Sequence, residues 1–192
     1  MTAEGIRARK RRETLQRITD AAICLFIEHG YDVTTIDGIA AAAGISRRNF
    51  FHYFKSKDDI LLSLQNGMGT MIADAVRGAP ATARPLDAIR DAVIAVSAAV
   101  PADEMIAIDR LMRASPAVQA RKAASYVEHE QALFAALRER WPDPARATGL
   151  RLAAMAAIGA MRLSFETLGR EGGTRPVATI LHEAFAALRA ET

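Results

Sequence analysis

Apolar residues recur at steps of three and four along most of the chain, the spacing that puts side chains on one face of an α-helix. Over residues 12–29 the series is Leu15, Ile18, Ala22, Leu25 and Phe26, and Gly30 follows where a helix stop is needed. Thr34 and Thr35 offer capping hydroxyls to a second, two-turn helix over residues 36–43, which ends at Gly44. Ser46 can cap a third helix two residues later, over the basic and aromatic run 47–53. Two short helices joined by Gly44, Ile45 and Ser46 read as a helix-turn-helix: Ala40 permits a close crossing, Gly44 a positive φ in the turn, and Ile39, Ile45 and Phe50 fill the space beneath. In Ser56-Lys57-Asp58-Asp59 a hydroxyl and a carboxylate can satisfy the free N–H groups of a fourth helix, whose stripe runs to about Arg77.

Gly78, Pro80, Thr82 and Pro85 mark a connection, after which Leu86, Ile89, Val93, Val96 and Val100 form the seam of another amphipathic helix stopped by Pro101. A shorter helix carries Met105 to Met112, and Ser115-Pro116 opens one that reaches Trp141. Two long helices over about 144–168 and 175–190 follow, separated by Gly169, Gly172 and Gly173. No strand pattern of any length interrupts the series, so the expected class is all-α with about nine helices.

Composition agrees: 40 of the 192 residues are Ala, the strongest helix former, while aromatics are 6%. Hydrophobic residues at 51% and charged residues at 24% exclude disordered and fibrous classes. The net charge is only +3, but its distribution is uneven. Arg7, Arg9, Lys10, Arg11 and Arg12 crowd the N-terminus, and residues 44–57 hold Arg47, Arg48, Lys55 and Lys57 with no acid, as expected of a chain that meets phosphate. The single Cys24 falls in the apolar series of the first helix and reads as a buried structural thiol rather than a redox sensor. Neither a signal peptide nor an uncharged stretch of membrane-spanning length is present, so a protein of the reducing cytoplasm with no membrane partner is expected.

The segment TTIDGIAAAAGISRRNFFHYFKSK, residues 34–57, preceded by a basic helix ending in His-Gly-Tyr, resembles the N-terminal domain of the TetR family of bacterial transcriptional repressors. The resemblance extends over residues 11–71, with the helix-turn-helix at about 35–54, and implies a C-terminal ligand-binding and dimerisation domain over 78–192. It places the recognition helix at 47–53. Arg47, Arg48 and Asn49 would then face base edges in the major groove, where Arg pairs with guanine and Asn with adenine. Thr35, Tyr53 and Lys57 fall where the family contacts phosphates, with His52 as an added contact. Phe51 departs from the family's usual tyrosine and lacks its phosphate-binding hydroxyl. Asp37 and Gly38 leave the second helix less basic than in relatives, a deficit that an N-terminal arm at 7–12 would offset. Phe50 and Phe54 are expected in the core, with Phe51 and Tyr53 open between core and DNA contact.

Met105, Ile108, Leu111, Met112, Tyr126, Phe134, Met155, Met161 and Phe165 could line an apolar cavity, with Arg113, His129 or Glu166 as polar anchors, or be ordinary core. The wide apolar faces of the last two helices, Leu150, Ala154, Ile158 and Met161 on one and Val177, Leu181, Phe185 and Leu188 on the other, are expected to pair with a second copy. His29, His52, His129 and His182 lack metal-ligand spacing, and no phosphate loop or nucleophile motif occurs, so neither enzyme activity, metal nor cofactor is expected. The expected function is a homodimeric repressor that binds a pseudopalindromic duplex operator and is released by a small apolar or amphipathic effector. A ligand-independent DNA-binding regulator, an activator and a helical protein-interaction module are the alternatives.

Overall fold

The computed structural model describes residues 3–80 and 82–191; Ala81, in the expected connection, and Thr192 lie outside the described residues. Among the described residues there are nine α-helices, one 3-10 turn and no strand. The helices are α1 (Ala3–His29), α2 (Ile36–Ala42), α3 (Arg47–Phe50), α4 (Lys57–Arg77), α5 (Pro85–Ala98), α6 (Ala102–Ala114), α7 (Pro116–Arg140), α8 (Ala147–Arg170) and α9 (Val177–Ala190). The 3-10 turn Pro144–Arg146 leads into α8.

Local signals account for most of these bounds. Thr35, Ser46, Ser115 and Asp143 each accept a hydrogen bond from a backbone N–H near the start of the helix they cap. At α4 the bonds are reciprocal, Asp59 N–H donating to Ser56 Oγ at 3.2 Å and Lys55 N–H to the Asp59 carboxylate at 2.9 Å. Two elements differ from expectation. α3 ends at Phe50, and residues 51–53 form a turn closed by Tyr53 N–H donating to the Phe50 carbonyl. The basic N-terminal residues form no separate arm: Ala, Arg and Lys, good helix formers that outnumber the single Gly5, carry α1 back to Ala3, aided by the Arg9–Glu13 pair.

The chain divides into two compact units between Ser63 and Leu64, inside α4. In the first unit, Ile18, Ala22 and Phe26 of α1 are buried together with Ile39 and Ala40 of α2, Phe50, Phe54, Ile60 and Leu61. Cys24 corrects its expectation: it is exposed, because α1 turns Ile23 and Phe26 inward and the thiol between them outward. Its Sγ lies 3.3 Å from the Glu28 carboxylate, whose hydrogen bond and negative charge raise the thiol pKa and disfavour the reactive thiolate.

In the second unit α8 packs against α5, α7 and α9 around Ile89, Val93, Leu133, Leu137, Ala154 and Leu181. This core takes up the residues expected at a dimer interface. Leu150, Ala154, Ile158, Met161, Val177, Leu181 and Phe185 are buried within the single chain, and Leu188 packs on the same core. The seven buried residues have little surface left to remove from water on pairing with a second copy, and Leu188 keeps part of its own. The exposed apolar stripe of α8 is a different one, Leu152, Met155 and Leu163, at 60%, 45% and 56% exposure. Met155 is therefore also excluded from an internal cavity.

Candidate nucleic-acid interface

The helix-turn-helix is built on a turn that backbone and side chain enforce together. Gly44 has φ +67°, a conformation that a side chain would strain, and it lets Ile45 N–H bond back to the Ala40 carbonyl at 2.9 Å. Ser46 then caps α3 by accepting from Asn49 N–H at 3.1 Å. Phe50 and Phe54 are buried beneath, which anchors α3 from below and leaves Arg47 and Arg48 in solvent.

The other expected contacts fall unequally. Phe51, at 45% exposure, and His52 project from the turn after α3, while Asn49 and Tyr53 are half-buried. Thr35 Oγ1 caps α2 by accepting from Gly38 N–H at 3.0 Å, and a Cβ at residue 38 would stand 3.3 Å from that hydroxyl, which accounts for glycine there. Lys57, expected at a phosphate, is engaged within the chain. Its Nζ donates to the carbonyls of Tyr31 at 2.7 Å and Thr34 at 2.9 Å and sits 4.5 Å from the centre of the Tyr31 ring. Lys57 thus clasps the α1–α2 connection. Tyr31 O–H in turn donates to the Asp58 carboxylate, and burial, followed by that bond, drives the phenol pKa far up.

Asp37 and Arg11, both noted in the sequence, make contacts that were not foreseen. Asp37 holds the Arg47 guanidinium at 2.5 Å, so the first residue of α3 is tied to the first turn of α2, and the same guanidinium lies 5.8 Å from the centre of the Phe51 ring. Arg11 of α1 stands over the Tyr53 ring at 5.4 Å, which makes α1's basic face continuous with the turn after α3. Neither was signalled by spacing, since both are contacts across elements.

In the second unit the expected cavity residues spread over α6, α7 and α8. Met112, His129 and Met161 are buried, and Met105, Ile108, Leu111, Tyr126, Phe134 and Phe165 are half-buried. Arg113 is exposed and paired to Asp109 at 2.6 Å, and Glu166 lies exposed 3.7 Å from Arg162. Asp109 also accepts from Lys122 at 2.9 Å. Burial alone would raise its pKa, but the Lys122 and Arg113 bonds and charges outweigh that and hold it below the ordinary carboxylate range. His129 packs against α4 where Gly69 stands: a Cβ there would lie 2.3 Å from the ring. Among the described residues, no group of three His, Cys, Asp or Glu could hold a metal ion, and no helix is long and apolar enough to cross a membrane.

A capped recognition helix with exposed arginines, carried on a three-helix unit and followed by a helical bundle, defines the class of helix-turn-helix transcriptional regulators. Residues 18–64 match the bacterial regulatory proteins of the tetR family, and residues 83–192 match the MftR C-terminal domain. The chain belongs to the TetR family. It is 33% identical over 105 residues to the HTH-type transcriptional regulator TcmR of Streptomyces glaucescens, covering 55% of this chain and 46% of that protein. It is 31% identical over 88 residues to the HTH-type transcriptional repressor LfrR of Mycolicibacterium smegmatis, covering 46% of each. The matches thus span about half the length of these relatives. Among solved structures, Thermus thermophilus FadR, a TetR-family repressor in complex with lauroyl-CoA, has a TM-score of 0.61 at 25% identity over 91% of this chain and 92% of that one.

Proposed function

We propose that the chain is a homodimeric repressor of transcription that reads a pseudopalindromic operator with Arg47, Arg48 and Asn49. The observation that carries this is the exposed pair Arg47 and Arg48 at the start of a helix capped by Ser46 and anchored by buried Phe50. Their guanidinium groups have the reach and donor geometry for guanine O6 and N7. Thr35, His52 and Tyr53 supply phosphate contacts beside them, and Phe51 an apolar one. The exposed cations Arg7 and Arg11, one turn apart on α1, extend the same face through Tyr53 to flanking phosphates.

Dimerisation uses Leu152, Met155 and Leu163, which recur on the outer face of α8 and are exposed in the single chain. A second copy is the partner because two chains must set their recognition helices about 34 to 36 Å apart to enter successive major grooves. The effector is apolar or amphipathic and lodges among Met105, Tyr126, Phe134 and Phe165, as the half-buried apolar and aromatic surface there favours. It releases DNA only if it binds the released conformation more tightly than the DNA-bound one.

The test is selection of duplexes from a random pool by the purified protein and by Arg47→Ala and Arg48→Ala, across a salt series. An enriched inverted repeat, relaxed by either substitution, is expected; no enrichment, or enrichment indifferent to both arginines, refutes the reading. Replacing both Arg7 and Arg11 by alanine should flatten the salt dependence of binding, and an unchanged slope removes these α1 cations from the interface. Leu163→Asp should convert the dimer to monomer in light scattering, and a persisting dimer moves the interface elsewhere.

A further inference from the structure

A cleft of about 440 Å³ opens in the second unit where α5 and α8 begin and α9 ends. Its floor is apolar, with Leu86, Leu150 and Ala153, and its rim carries Arg84, Arg146 and Arg189. Asp87 is the single acid among the lining residues, and it is oversubscribed. With its side chain 20% exposed, it accepts from Arg84 at 2.8 Å, from Arg90 at 3.2 Å and from Arg189. Asp91 takes up part of Arg90's charge at 2.7 Å. Four guanidinium groups against two carboxylates leave an excess of two positive charges around a concave surface.

The start of α5 sharpens this imbalance. The residue before α5 is Arg84, which makes no side-chain capping bond, whereas Arg146 closes the 3-10 turn, capped by Asp143, that leads into α8. Helix starts carry partial positive charge and favour acidic or hydroxyl residues, as at Thr35, Ser46 and Ser115 in this chain. Arg84, at such an end and facing the cleft with Arg146 and Arg189, is repelled there unless an anion lies between them. The volume falls in the range of small-molecule sites, roughly 300–1,000 Å³.

We infer that this cleft binds a dianionic phosphate monoester bearing a short apolar substituent, its phosphate held among Arg84, Arg146 and Arg189 and its substituent on Leu86, Leu150 and Ala153. Planar guanidinium groups match phosphate oxygens two at a time, and an excess of two charges matches a dianion. Phe165 of the proposed effector region lies about 22 Å from Leu150 along α8 at 1.5 Å per residue. The assignment rests on neither the DNA reading nor the effector reading, and its test measures binding directly.

The test is isothermal titration of the full chain with hexyl phosphate, inorganic phosphate and hexanol. Hexyl phosphate should bind one per chain, at least tenfold more tightly than inorganic phosphate, with hexanol silent. Arg146→Glu should weaken it at least tenfold. Gly149→Leu places a side chain over the floor where a Cβ meets nothing within 4 Å. It should abolish binding while leaving the unfolding temperature unchanged or higher. Failure of hexyl phosphate to saturate, equal affinity for inorganic phosphate, or full binding by a folded Gly149→Leu protein would each overturn the assignment.

Discussion

Arg47 cannot hold Asp37 and a guanine at once, so the ion pair that ties α3 to α2 acts as a brake on DNA binding, and Asp37→Asn should release it. The two side chains are 59% and 62% exposed, and pairs of that kind contribute on the order of 0.2–1 kcal/mol. Freeing the guanidinium should therefore raise operator affinity roughly 1.4- to 5-fold. Removing a negative charge near the phosphates adds a second gain, which acts on any duplex and is screened by salt. A double-mutant cycle separates the two. Fluorescence anisotropy with the selected operator, on wild type, Asp37→Asn, Arg47→Ala and the double variant, should show the salt-dependent gain in both backgrounds and the remainder only where Arg47 is present. A gain from Asp37→Asn that is as large without Arg47 refutes the brake. A loss of affinity on the Arg47 background would mean that Asp37 orients the guanidinium for readout. Asp37 also lies in the first turn of α2, so thermal melts should fall slightly, by the equivalent of about 0.3–1 kcal/mol.

Three further outcomes follow from the packing. Gly69→Ala should lower stability in urea by about 1–3 kcal/mol, because the new Cβ meets the His129 ring, whereas Gly67→Ala, in open space on the same helix, should raise it by about 0.5–1 kcal/mol; equal effects would refute the steric argument. Lys57→Met should lower thermal stability by about 1–3 kcal/mol and leave the salt slope of DNA binding unchanged, since its ammonium holds the Tyr31 and Thr34 carbonyls; an unchanged melt with the slope reduced by about 0.9 would instead make it a phosphate contact. The Asp109 carboxyl titrates lower in the folded chain than in the unfolded one, so its contribution is present above about pH 3.9 and is lost as pH falls through the depressed value. The difference in urea midpoint between wild type and Asp109→Asn should be full near neutrality and shrink below about pH 3.9; a difference constant with pH would show that the carboxylate charge is not what stabilises.

Local chemistry made the helices and the helix-turn-helix legible from the chain alone. A capping hydroxyl, a glycine at a positive-φ turn and apolar steps of three and four act within a few residues, so Ser46, Gly44 and the buried Phe50 could be read in order without knowledge of what surrounds them. The same reasoning found the residues of the basic face, because charge placed on a short capped helix has few ways to point. What tertiary structure decided is which partner each face meets. Helical spacing states that Leu150, Ala154 and Ile158 share a side of α8; it does not state that α5, α7 and α9 bury that side and leave Leu152, Met155 and Leu163 exposed. Cys24 points outward although its neighbours are apolar, since one step of about 100° separates it from buried Ile23. The Asp37–Arg47 pair, the Lys57 clasp and the Arg189–Asp87 pair join residues 10 to 102 positions apart, and such contacts arise only once backbone packing has brought their carriers together.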